Sequence, residues 1–158
     1  MIVQLRIDER LIHGQVAAAW SKALDNDTIV CASDEASANQ LKKRLLLMAA
    51  PPGKKVRIAP VDEVIRLLSD PRAERMKIFL ITDTIKDAVK LVKALKITEV
   101  NLGNYHDRDA ENPISVCEGC AVDQESYEAL KELSGLVDNS FSQLLPTVEK
   151  KELKKSLQ

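Results

Sequence analysis

At 158 residues the chain has the length of one domain, and residues 1–158 are expected to fold as a unit that buries about two-thirds of its extended surface. Its 23 basic and 24 acidic residues nearly cancel to a formal charge of −1, which excludes a global field that recruits nucleic acid or anionic membrane. No run reaches the ~18 apolar residues of a membrane span, and "MIVQLRIDER" has no basic segment ahead of an apolar core, so a cytosolic protein is expected.

Apolar runs alternate with amphipathic ones along the chain. "MIVQLRI" predicts a strand and "QVAAAWSKAL" a helix, stopped by Asp25, Asn26 and Asp27. "TIVCAS" reads as a short buried strand. "DEASANQLKKRLLLMAA" reads as a helix capped by Ser33 or Asp34 and ended by Pro51, Pro52 and Gly53. "KKVRIA" gives a third strand, then a helix carrying Val61, Val64, Ile65 and Leu68 at i, i+3, i+4 and i+7. "MKIFLIT" is the fourth strand, and Ala88, Leu91, Val92 and Leu95 repeat the helical spacing before the fifth strand, "ITEVNLG". Beyond a polar loop at 103–112 the pattern predicts an edge strand near 113–117, a helix around 124–135, a strand at 137–142 and a charged C-terminal helix.

This alternation predicts an α/β fold: an open, mainly parallel sheet with helices on both faces and room for an antiparallel edge strand. Ligands of such sheets bind outside the carboxyl ends of the strands. The loops at that edge are 8–14, 33–35, 59–62, 82–84 and 103–108, and the first holds "RIDERLIHGQV", with one of the chain's two histidines, His13. An imidazole, titrating near about 6.5, is a competent nucleophile toward phosphorus at neutral pH. Gly14 lets an oxyanion approach the backbone. The amides of Gly14, Gln15 and Val16 open the next helix, whose N-terminus favours anions. Arg10 supplies a planar fork for phosphate oxygens. Asp8 is placed either to hold Arg10 or to fix the imidazole tautomer. The same residues also read as an ordinary polar loop, with Asp8 and Arg10 a surface ion pair worth under about 1 kcal/mol.

"RIDERLIHGQV" resembles the signature of the IIB subunit in the mannose/fructose/sorbose family of the bacterial phosphoenolpyruvate-dependent sugar phosphotransferase system. "ASDEAS", "AAPPGKKV", "VNLGNYH" and "LPTVEKK" agree with that family in the same order, and the match weakens after residue 107. The resemblance implies a protein-histidine to sugar phosphotransferase. In that reading His13 takes a phosphoryl group from a phosphohistidine on a IIA subunit and passes it to a sugar held by the membrane subunits IIC and IID. Arg10 and Asp8 match the family's arginine and aspartate of the same loop, and Gly14 and Gln15 match the residues after the histidine. The resemblance implies no metal and no dissociable cofactor, and it implies a cytoplasmic protein peripherally associated with the membrane through the transporter complex. It names no sugar and leaves a homo-oligomer open.

Other features compete. His106, in "GNYHDRD", reads as a solvated loop residue or as a second group facing phosphate or a partner. Arg6 either reaches the strand end electrostatically or snorkels out at an edge. The three cysteines, an odd count, fit reduced thiols better than a disulfide framework. Cys117 and Cys120 form a CxxC that reads as structural thiols, because the further zinc ligands on offer, His13, Cys31 and His106, are scattered. The acidic loop at 104–112 departs from the family's pattern. A regulatory or interaction module that retains the fold without transport is therefore the alternative.

Overall fold

Apolar runs bounded by turn residues become strands, and runs with one apolar face become helices. The computed structural model describes residues 1–157; Gln158, the last residue of the expected domain, lies outside the described residues. The first half runs β1 (Ile2–Ile7), α1 (Gly14–Leu24), β2 (Thr28–Ala32), α2 (Asp34–Ala38), α3 (Gln40–Ala49), β3 (Lys55–Ala59) and α4 (Val61–Leu68). After a 3₁₀ turn at Pro71–Arg75 come β4 (Ile78–Thr82), α5 (Ile85–Ala94), β5 (Glu99–Leu102) and β6 (Tyr105–His106). The remainder is β7 (Ile114–Cys117), β8 (Cys120–Val122), α6 (Gln124–Leu136), β9 (Asn139–Ser142), β10 (Lys151–Glu152) and α7 (Leu153–Ser156).

The main sheet has seven strands in the order β10-β9-β5-β1-β4-β2-β3. All its pairings are parallel except β9 with β10. The chain winds one way from β1 to β2 and β3, returns to β4, and then crosses β1 to reach β5. The neighbours β1 and β4 therefore send their onward connections in opposite directions, and the crevice at their carboxyl ends is where such a sheet binds ligands.

Helices cover both faces, and β2 shows the two-residue period that divides them. Val30 and Ala32 join one core with residues of α4, α5 and α6, whereas Ile29 and Cys31 join a second with Ala17, Trp20, Ala36 and Leu46. None of the helices among the described residues is long and apolar enough to cross a membrane.

Three expectations need correction. The helix expected from residue 34 breaks at Asn39, which is extended and whose side chain accepts the Lys42 amide at 3.0 Å, so it caps a second helix. The segment near 113–117 forms no edge of the main sheet. It folds back through Glu118 and Gly119 onto β8 in a separate three-stranded sheet, β6-β8-β7, a pairing that closes only a short loop. The antiparallel edge strand of the main sheet is β10, and the charged C-terminal helix is the single turn of α7.

Candidate functional site

The loop after β1 is shaped by burial at its centre and polarity at its ends. Leu11 and Ile12 are sunk in the core beneath α1, although this requires Leu11 to adopt a left-handed backbone at φ 58°. Such a conformation costs a bulky residue about 1–3 kcal/mol and persists where its surroundings over-determine it. The surroundings here are the apolar anchor and a turn in which the Leu11 amide donates to the Asp8 carbonyl at 2.9 Å. With Leu11 and Ile12 held down, His13 emerges exposed at the rim as the N-cap of α1. Its ring makes no capping hydrogen bond and has no hydrogen-bond partner among the described residues.

Asp8 organises the charges. It is 1% exposed and bridges two guanidinium groups. Its Oδ2 lies 3.3 Å from Arg6 Nη2, and its Oδ1 accepts from Arg10 Nε at 3.2 Å and from the Arg10 amide at 3.0 Å. A further bond joins Arg10 Nη2 to Asp8 Oδ2 at 3.4 Å. Of the two roles open to Asp8, the geometry supports holding Arg10: its oxygens are taken up by the two arginines and the Arg10 amide. Arg10 remains 37% exposed, with its Nε and Nη2 both facing Asp8.

Arg6 resolves against the snorkelling alternative, since it is only 2% exposed. Its Nη1 donates to the Gln143 carbonyl at 3.0 Å and its Nη2 reaches the Leu144 carbonyl at 3.4 Å. Trp20 of α1 lies over the guanidinium at 5.6 Å and donates its own N–H to Leu144 at 3.0 Å. Burial pulls the Arg6 pKa down and Asp8 opposes this, so the neighbouring carboxylate supports the charged form. Gly103 is required by this contact: a Cβ there would stand 2.6 Å from Arg6 Nη2. Asn101 pins the same C-terminal segment, exchanging bonds with the Gln143 amide and carbonyl at 3.0 and 3.1 Å. Arg6, Trp20, Asn101 and Gly103 were not among the expected site residues. Arg6 and Asn101 had a visible signal in being polar within otherwise apolar strands, but their partners, residues 143 and 144, are remote in sequence.

Among the helix-opening amides, Val16 is already engaged, donating to the His13 carbonyl at 3.0 Å. Those of Gly14 and Gln15 precede the first intrahelical bond, and Gly14 takes φ 37°, which glycine adopts readily. Ser33 and Asp34 act as caps. Ser33 accepts the Ala36 amide at 3.1 Å and donates to Asp83 at 2.8 Å, while Asp34 accepts the Val61 amide at 2.9 Å.

His106 is tied down. Its Nδ1 lies 3.1 Å from Glu9 Oε1, and Glu9 also accepts from Asn104 at 2.8 Å and Arg108 at 2.9 Å. The hollow beside it is lined by Asp107, Asp109 and Asp123. No group of three or more His, Cys, Asp or Glu side chains among the described residues is arranged to hold a metal ion.

The architecture defines a doubly wound α/β protein whose histidine-bearing loop lies where the winding reverses. Residues 2–158 match the family described as PTS system sorbose subfamily IIB component. A probable phosphotransferase enzyme IIB component of Streptococcus pyogenes serotype M6 is 38% identical over 152 residues, 93% of each chain. The mannose-specific EIIAB component of Escherichia coli K12 is 35% identical over 136 residues, which cover 85% of this chain and 42% of that longer protein. In three dimensions the chain is similar to the IIBSor domain of the sorbose permease from Klebsiella pneumoniae, with a TM-score of 0.91 over 99% of this chain and 96% of that one. At 24% identity that likeness speaks for the fold. The chain belongs to the sorbose-subfamily IIB components of the sugar phosphotransferase system.

Proposed function

We propose that His13 is the phosphoryl acceptor of this IIB component, taking the group from a phosphohistidine on a IIA partner and delivering it to a sugar bound by membrane subunits IIC and IID. The observation that carries the reading is an exposed imidazole without a side-chain partner, in the same loop as an arginine held by a buried carboxylate. A ring nitrogen of His13 attacks phosphorus in line, the new P–N bond forms as the bond to the donor histidine breaks, and delivery to a sugar hydroxyl reverses the roles. There is little covalent work for the protein, so catalysis is positioning and charge neutralisation.

Arg10 neutralises the equatorial oxygens from one side, and the Gly14 and Gln15 amides together with the positive end of α1 do so from the other. Asp8 fixes the Arg10 fork. Arg6 supplies a second positive charge against the buried Asp8 side chain. One of the relatives is itself named EIIAB, which supports a IIA unit as donor. Docking on the transporter gives the protein a cytoplasmic position at the membrane.

The test is labelling by a phosphorylated IIA subunit. The wild type is expected to gain one acid-labile, base-stable phosphoryl group, His13→Ala none, and His106→Ala one. Full labelling of His13→Ala overturns the assignment, and failure of the wild type to label with any cognate IIA favours a non-transport module.

A further inference from the structure

The β7–β8 hairpin brings two thiols together outside the candidate site. Cys117 ends β7, Cys120 opens β8, and they stand opposite each other across the turn formed by Glu118 and Gly119. Opposed residues of an antiparallel pair have Cα atoms about 4.5–5.5 Å apart, within the ~4.4–6.8 Å that a disulfide spans. Their side chains share one face of the small sheet.

Their surroundings differ. Cys117 is partly exposed, meets the Ser142 hydroxyl, and has Lys151 nearby, with Glu118 the opposing charge. The bonds from Cys120 and Ser142 and the lysine's charge bring its thiol down to about 7. Cys120 is buried, and burial together with its neighbour pushes its thiol up. Low thiolate pKa, partial exposure and an adjacent second thiol mark a reactive cysteine. Cys31 has none of these features, being fully enclosed in the core.

We propose that Cys117 and Cys120 form a reversible dithiol–disulfide pair, with Cys117 the attacking thiol, Cys120 the resolving thiol and a small-molecule disulfide the oxidant. The Cys117 thiolate attacks one sulfur of that disulfide, forming a mixed disulfide and expelling one thiolate. Cys120 then loses its proton and attacks Cys117 Sγ, closing the intramolecular bond and expelling the second thiolate. Two protein thiols are oxidised, one small disulfide is reduced to two thiols, and the two protons pass to the leaving groups. The bond closes the turn on which the candidate site's outer loop rests. The Tyr105 amide donates to the Gly119 carbonyl at 2.9 Å, and a Cβ at Gly119 would lie 3.4 Å from the Asn104 side chain that holds Glu9.

The experiment treats the reduced full-length protein with oxidised glutathione and follows intact mass and free thiols. The wild type is expected to lose two hydrogens and keep one free thiol, with dithiothreitol reversing both. Cys31→Ser should lose the same two hydrogens. Cys117→Ser should stay unmodified, and Cys120→Ser should stop as a stable glutathione adduct. Retention of all thiols by the wild type, accumulation of its glutathione adduct or of disulfide-linked dimers, or an unmodified Cys120→Ser would each overturn the proposal. None of these readouts involves phosphoryl transfer, so the result stands apart from the assignment of His13.

Discussion

The two histidines lie beyond the same edge of the main sheet, His13 in the loop after β1 and His106 in the short strand β6, yet their neighbourhoods have opposite character. His106 is anchored through one ring nitrogen, Nδ1, which lies 3.1 Å from Glu9 Oε1, and Nε2 takes no part in that contact. A ring nitrogen outside such contacts is therefore present at both positions. What separates them is the charge that an incoming phosphoryl group meets. Around His106 stand Glu9, Asp107, Asp109 and Asp123, and the nearby cation, Arg108, is paired to Glu9. The loop that carries His13 holds Arg10, two helix-opening amides and a carboxylate already claimed by two arginines. Nucleophilicity is common in such loops, and preorganised neutralisation of charge is the scarcer property.

The comparison breaks most sharply at Arg6. Arg6→Ala leaves Asp8 buried with one partner in place of two and removes the ties to residues 143 and 144, and we expect a loss of about 3–5 kcal/mol in chemical denaturation. An unchanged midpoint would mean that Arg6 does not support the loop.

Arg10 comes next. It is 37% exposed, but its partner Asp8 is buried. Arg10→Ala should therefore cost about 1–3 kcal/mol, less than Arg6→Ala because Arg6 and the backbone amide at position 10 still hold Asp8, while slowing phosphoryl transfer roughly 10- to 100-fold, the worth of one charge-assisted contact. Arg10→Lys keeps the charge without the fork and should fall between alanine and wild type. Wild-type rates in Arg10→Ala would reduce the Asp8–Arg10 pair to a surface contact.

His106→Ala sharpens the contrast from the other side. It removes one contact to a Glu9 that retains Asn104 and Arg108, so transfer should stay within about threefold of wild type and stability within about 1 kcal/mol. A loss comparable to that of Arg10→Ala would make the two loops one site. The smallest effect is expected for reduced Cys117→Ser and Cys120→Ser, whose transfer rates should match the wild type, since neither thiol is hydrogen-bonded to Asp8, Arg10 or His13.

Much of this was legible in the chain because the relevant signals are local. Alternating apolar runs specify a parallel sheet, and they put "DERLIHG" at its carboxyl edge without knowledge of strand order. Asn39 carried a readable capping signal, but the helical pattern on both sides of it hid the break. Arg6 was ambiguous for a different reason. Whether a charge at that position is buried or solvated depends on Trp20, Gly103 and the carbonyls of residues 143 and 144 arriving from three separate parts of the chain. Long-range burial of this kind leaves no periodicity to read.

The central claim is that a phosphoryl group rests on His13. The most direct measurement is site-mapping of the phosphorylated full-length protein by tandem mass spectrometry, kept at alkaline pH to preserve the P–N bond. The account predicts one phosphoryl group per chain, on the fragment containing His13. The same group found on His106, Cys117 or Cys120 would contradict it.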